Sequence, residues 1–144
     1  MNKEEWLQQA ETNIRKCLTG NDGRFEGQMN AALTACDYEN QSITLEFETQ
    51  KWQTNARDGI HAGAIAGIFA AAFSVVANFT AGENDVTTVD LHISYIRPLD
   101  DGQHVAVTVY IVRIGRKIIR LRAEMFCKET GKIVATGVGA WMPL

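Results

Sequence analysis

Between positions 55 and 63 the chain reads Asn-Ala-Arg-Asp-Gly-Ile-His-Ala-Gly, and an uncharged run follows directly. Those residue types at that spacing suit carbonyl chemistry. If a helix opens at Ala62, its first amides have no intrahelical partner and point outward. The helix dipole adds partial positive charge there. Ala62 and Gly63 are small enough to let a ligand reach the backbone. A carbonyl held against these amides is polarised, and its tetrahedral oxyanion is stabilised. Two side chains frame the turn. His61 is either a general base working near neutral pH or a residue that fixes the loop. Asn55 either positions a carbonyl or water, or bonds its own backbone. Asp58, three residues before His61, is the nearest acid, either a base or a solvated turn charge. Glu46 and Glu48 are more remote alternatives.

The elements that must position these residues follow from periodicity. Lys3 to Leu18 alternates as an amphipathic helix, with Trp6, Ala10, Ile14, Cys17 and Leu18 on one side. Gln28 to Glu39 and Gln41 to Glu48 read as strands, the second with Ile43, Leu45 and Phe47 against Thr44, Glu46 and Glu48. Ile60 to Phe79 carries no Asp, Glu, Lys or Arg. At ~20 residues it is long enough for a bilayer. It has no Leu, many Ala and Gly, and no basic flank, so it reads as a core helix buried on all sides. Positions 81–84 close it. Four strand-like runs follow: Val86 to Ile96, His104 to Ile114, Lys117 to Lys128 and Lys132 to Met142. Their short joins predict antiparallel neighbours throughout. The expected fold class is α+β: an antiparallel sheet of about six strands wrapped around one long helix, with an extra N-terminal helix. Residues 1–144 then form a single domain, with 1–20 as the N-terminal helix and 28–144 as the core. The uncovered side of the helix implies a homodimer, with a dimer of dimers (a homotetramer) as a further option.

The motif and the strand TTVDLHISYIRPL resemble the PaaI-like hotdog-fold acyl-CoA thioesterases, whose hallmark is an N-x-x-G-x-x-H-G-G-type turn. The final strands, GRKIIRLRAEMFCKETGKIVATGVGAWM, resemble the close of that fold, and the likeness covers roughly residues 30 to 142. The resemblance implies hydrolysis of a CoA thioester to free acid and CoA, with CoA ester as substrate and no cofactor. It implies that Asn55 places the carbonyl or the water and that His61 is the motif histidine. Ala62 and Gly63 supply the polarising backbone, and Thr88 supplies a hydroxyl to the partner's site. It implies that Arg97, Arg116 and Lys117 contact the nucleotide. One departure is plain: the acid that relatives carry nine residues after the motif histidine is Ala70 here. A general base contributes roughly 100- to 10,000-fold, so the chain is either an enzyme with altered catalysis or a non-catalytic module that binds an acyl or aromatic ligand.

Composition closes off other classes. The net charge is −3 and no basic stripe occurs, which argues against nucleic acid. Cys17, Cys36 and Cys127 are odd in number and far apart, so no metal set or disulfide framework is expected, and a reducing cytoplasm fits. The start, MNKEEWLQQAETNIRK, lacks the apolar stretch of a signal peptide. No membrane partner is expected.

Overall fold

The computed structural model describes residues 1–82 and 84–144; Glu83, inside the expected helix-closing segment, lies outside the described residues. Along the chain come α1 (Lys3–Cys17), α2 (Phe25–Gln28), β1 (Ala32–Asp37), β2 (Ser42–Glu48), a 3-10 turn at Lys51–Gln53, α3 (Ala62–Thr80), β3 (Val86–Tyr95), β4 (His104–Ile114), β5 (Ile119–Cys127) and β6 (Ile133–Pro143). The strands form one antiparallel sheet in the order β1-β2-β4-β5-β6-β3.

The sheet curls around α3, and their apolar faces solve one burial problem. β4 and β5 alternate strictly, with Val105, Val107, Val109, Leu121, Ala123 and Met125 turned inward. They meet Ile68, Phe69, Phe73 and Val76 of α3, all essentially without solvent exposure. Phe73 lies 4.7 Å from the Trp141 ring on β6. Each such side chain contributes about 1.5–3 kcal/mol by leaving water. α1, capped by the Asn2 side chain accepting from the Glu5 amide at 2.9 Å, covers the other end. Its Trp6 packs edge-on against Phe79 and Tyr38.

Two expectations need correction. The first expected strand, from Gln28, is broken: Phe25–Gln28 is a short helix and β1 begins only at Ala32. β3 and β4 do not pair. β3 lies at the far edge beside β6, and the 97–103 segment crosses the end of the sheet instead of turning a hairpin. That segment is bonded elsewhere: the Leu99 carbonyl accepts from the Ile60 amide at 2.7 Å, and Gly59 bridges to Asp100. Pro98 has no N–H to give a ladder. The loop before α3 is thereby fastened to the chain leaving β3.

α3 is buried along most of its surface. Its less buried positions are Ala62, Gly63, Ala64, Ala66, Ala70, Ser74, Asn78 and Thr80, and of these Ala62, Ala66, Ala70, Ser74 and Asn78 step one turn at a time along one side. α3 is long and apolar enough to cross a membrane by length and composition, though most of it is covered by the sheet.

Candidate active site

The loop ahead of α3 is built by its own side chains. Asn55 Oδ1 accepts from the Arg57 amide at 2.8 Å and the Gly59 amide at 3.2 Å. Two donors on that atom fix the amide's orientation, so Nδ2 is the group left over, and among the described residues it meets no acceptor. Asn55 is therefore a donor at this site and cannot be a base. The loop closes with the Asn55 amide donating to the Gly59 carbonyl at 2.7 Å and the His61 amide donating to the Gln53 carbonyl at 2.8 Å.

Asp58 occupies the left-handed region at φ +60°. It stands at the place of the hallmark's first glycine, and Asp is among the few other residues that tolerate this conformation. Its carboxylate points to solvent, 3.2 Å from Lys51 Nζ, which also holds Asp101 at 3.0 Å. The two carboxylates, Asp101 first, hold the Lys51 ammonium above its usual pKa. Glu46 is engaged by Lys128, and Glu48 is exposed.

α3 begins at Ala62, with His61 as its N-cap. The Gly63 amide donates to His61 Nδ1 at 2.8 Å. A nitrogen that accepts carries no proton, so the neutral ring is the Nε2–H tautomer. That ring offers a donor and no free lone pair. It also occupies the Gly63 amide, so of the two small-residue amides only that of Ala62 has no acceptor among the described residues. The Ala62 carbonyl in turn accepts from the Tyr95 hydroxyl at 2.7 Å, tying the end of β3 to the first turn of α3. Tyr95 lies within the strand TTVDLHISYIRPL, but nothing in that stretch singled it out as a site residue.

Asn55 and Ala62 line one cavity of about 500 Å³, together with Tyr95, Arg57 and Arg97. The Arg97 guanidinium is steadied by donating to the Ile133 carbonyl at 2.7 Å. The other expected site residues are elsewhere. Thr88 is paired with Trp141 and lies seven residues from Tyr95 along β3, roughly 23 Å at 3.3 Å per residue. Arg116 and Lys117 sit on the β4–β5 hairpin at that same end, where Ile119 also pairs with Trp141. One chain therefore holds two separated sets: Asn55, His61, Ala62 and Arg97 at one end, Thr88, Arg116 and Lys117 at the other. Ala70 stands half-buried midway along the small-residue stripe. Among the described residues no group of His, Cys, Asp and Glu could hold a metal.

This arrangement has counterparts. The family model of the thioesterase superfamily matches residues 59–134, from the loop to the start of β6. The chain belongs to the thioesterase superfamily. Its fold is the hotdog fold, and its structural neighbours are PaaI-like. The PaaI protein of E. coli, from the phenylacetic acid degradation operon, superimposes with a TM-score of 0.81 at 14% identity, covering 95% of this chain and 94% of that one. Thioesterase superfamily member 2 of Mus musculus gives 0.76 at 20% identity, covering 92% and 96%. Among curated proteins, acyl-coenzyme A thioesterase 13 of Mus musculus is 23% identical over 97 residues, 67% of this chain and 69% of that protein. The Homo sapiens counterpart is 23% identical over 95 residues, 66% and 68%.

Proposed function

We propose that the chain hydrolyses an acyl-CoA thioester to the free acid and CoA, as a homodimer and with a weakened water-activating half. The observation that carries this is the pair of uncommitted donors, Asn55 Nδ2 and the Ala62 amide, on one cavity. Together they polarise a thioester carbonyl and hold the oxyanion as water adds. The carbon–sulfur bond then breaks, the thiol of CoA leaves with a proton, and the acid remains. The related acyl-coenzyme A thioesterases support this substrate class.

The homodimer reading rests on β3. Among the described residues this ten-residue edge strand has only β6 beside it, and an open edge of that length is a template for another strand. Val89, Tyr95 and Ile96 are half-exposed there. Antiparallel pairing of two β3 strands about a two-fold axis lays one chain's Thr88 end against the other's Tyr95 end. Thr88, Arg116 and Lys117 of one protomer then serve the Asn55 and Ala62 of its partner. A dimer of dimers is compatible with this pairing. The three scattered cysteines favour a reducing cytoplasm as the setting.

Asp58 is assigned here as a turn residue, because its carboxylate is exposed and faces Lys51. His61 is the cap. That leaves no base beside the two donors among the described residues, and Ala70 stands where relatives carry the acid. The test is hydrolysis of a panel of acyl-CoAs by the wild type and by Ala70→Asp, followed with a thiol reagent. Slow turnover by the wild type and a kcat roughly 100- to 10,000-fold higher in the variant are expected. Ala70 also favours a second reading, a module that binds acyl-CoA without hydrolysing it. That reading stands if neither protein turns over any ester while CoA esters still raise the Tm.

A further inference from the structure

On the opposite flank of the first turn of α3 lies a second recess, of about 230 Å³, lined by Phe25, Met29, Trp52, Gln53, His61 and Gly63 among others. We infer that it is the subsite for the acyl group, and that it takes a short-chain or single-ring acyl group. The inference rests on the thioesterase reading for the carbonyl's position, and on the recess itself for the rest.

Its walls present carbon. Phe25 comes from α2 and lies against α3, where a Cβ at Gly67 would stand 2.7 Å from Phe25 Cζ and 3.2 Å from Met29 Cε. Glycine at 67 is thus what lets the ring approach the helix. Trp52 is held by its indole Nε1 donating to Gln50 Oε1 at 2.9 Å, which leaves the ring face uncommitted. Both aromatics are more than half exposed, an unusual cost for rings with no ligand to cover. The polar side chains along the walls are already engaged. Gln53 Oε1 accepts from the Gln50 amide, and its Nε2 donates to Met29 Sδ. The Thr54 hydroxyl donates to the Lys51 carbonyl, and His61 Nδ1 is taken by Gly63. A polar ligand would lose water here and gain few partners.

The two recesses on either side of Ala62–Gly63 divide the chemistry. One carries Arg57 and Arg97 and suits the anionic nucleotide part. The other is apolar. A thioester with its carbonyl at Ala62 lies between them, with the His61 Nε2–H at the rim. The smaller recess falls below the roughly 300–1,000 Å³ of drug-sized ligand sites, too small for a long fatty chain.

The experiment compares hexanoyl-, benzoyl- and palmitoyl-CoA on the wild type, Trp52→Ala and Phe25→Ala, with calorimetry of CoA and its S-hexyl thioether as a readout free of turnover. The wild type should prefer hexanoyl and benzoyl esters. Each variant should lose about tenfold in kcat/KM for them, through KM with kcat kept, and should narrow the gap to palmitoyl-CoA. The hexyl tail should tighten binding to the wild type only. Unchanged selectivity in both variants, or equal binding of CoA and the thioether by the wild type, overturns the subsite. A change of sedimentation in Trp52→Ala also overturns it, because a second copy of the chain would then be the occupant. If the wild type hydrolyses nothing, the hydrolase reading falls, and the thioether measurement alone decides the subsite.

Discussion

A ring nitrogen that accepts an amide proton cannot also take one from water, which argues for His61 as a cap and against it as a base. The cap on Gly63 is the kind of contact worth about 1 kcal/mol when removed. His61→Ala should therefore lose about that much in urea denaturation, while His61→Asn, a good N-cap, should keep most of it. Activity should follow the same order, since the cap sets the direction of the Ala62 amide; a base would be lost in both variants. At the start of β4, Glu129 accepts from the His104 amide at 2.8 Å and faces its ring at 2.7 Å. The backbone bond first, then the ring, hold its carboxyl down at about 2, against an ordinary 4.5. A depressed carboxyl stabilises the fold above the unfolded value and loses this as pH falls through the folded one. The stability gap between wild type and Glu129→Gln should hold above pH 4.5 and close toward pH 2, measured by urea denaturation across pH.

At the scale of elements, the sheet must twist and close on α3 without fouling its own backbone. At Gly139 on β6 a Cβ would stand 2.6 Å from the Asp90 carbonyl and 2.6 Å from the Trp141 ring. The carbonyl belongs to β3 just past the Val89 bulge and has little room to move. Gly139→Ala should destabilise the fold by about 1–3 kcal/mol, read as a lower Tm with an unchanged far-ultraviolet dichroism spectrum. The long strands were legible in the sequence because strand-like runs of nine residues or more lie between short turns, and α3 because its uncharged apolar run is so long. α2 was not, since four residues carry no period, and its last residue, Gln28, was read as the start of a strand. The pairing of β3 with β6 was also hidden. Pro98 to Gly102 has the composition of a hairpin turn, and only its bonds to the loop at 59–60 show that it crosses the sheet instead. In the site, the motif named Asn55, His61 and Ala62 but not which of their atoms remain uncommitted, which depends on hydrogen bonds within the folded loop. The aromatics of the second recess, Phe25 and Trp52, are 27 residues apart in sequence and share no motif.

At the scale of the whole molecule, the expected site residues form two sets at opposite ends of β3. If two chains complete each other, damage to different sets should complement. Asn55→Asp keeps the loop-building oxygen and removes the donor; Thr88→Val removes the hydroxyl. Each alone should lose activity, by roughly 100-fold or more for the donor. Mixed at equal amounts and allowed to exchange, half the dimers carry one of each chain, and each of those regains one intact site of two. Activity should recover to roughly one quarter of wild type. No recovery in a verified mixed dimer would mean that both sets act within one chain.

The open edge of β3 has a consequence for how the protein behaves in dilute solution. If two chains complete each other as proposed, a lone protomer holds two halves and no whole, and its catalytic output is not simply proportional to its amount. Below the dissociation constant of the pair, the rate should rise with the square of protein concentration, and above it linearly. The bend between those regimes locates the strength of the β3 seam without any physical separation of the two forms. In a cell, expression level would then act on this enzyme as a threshold.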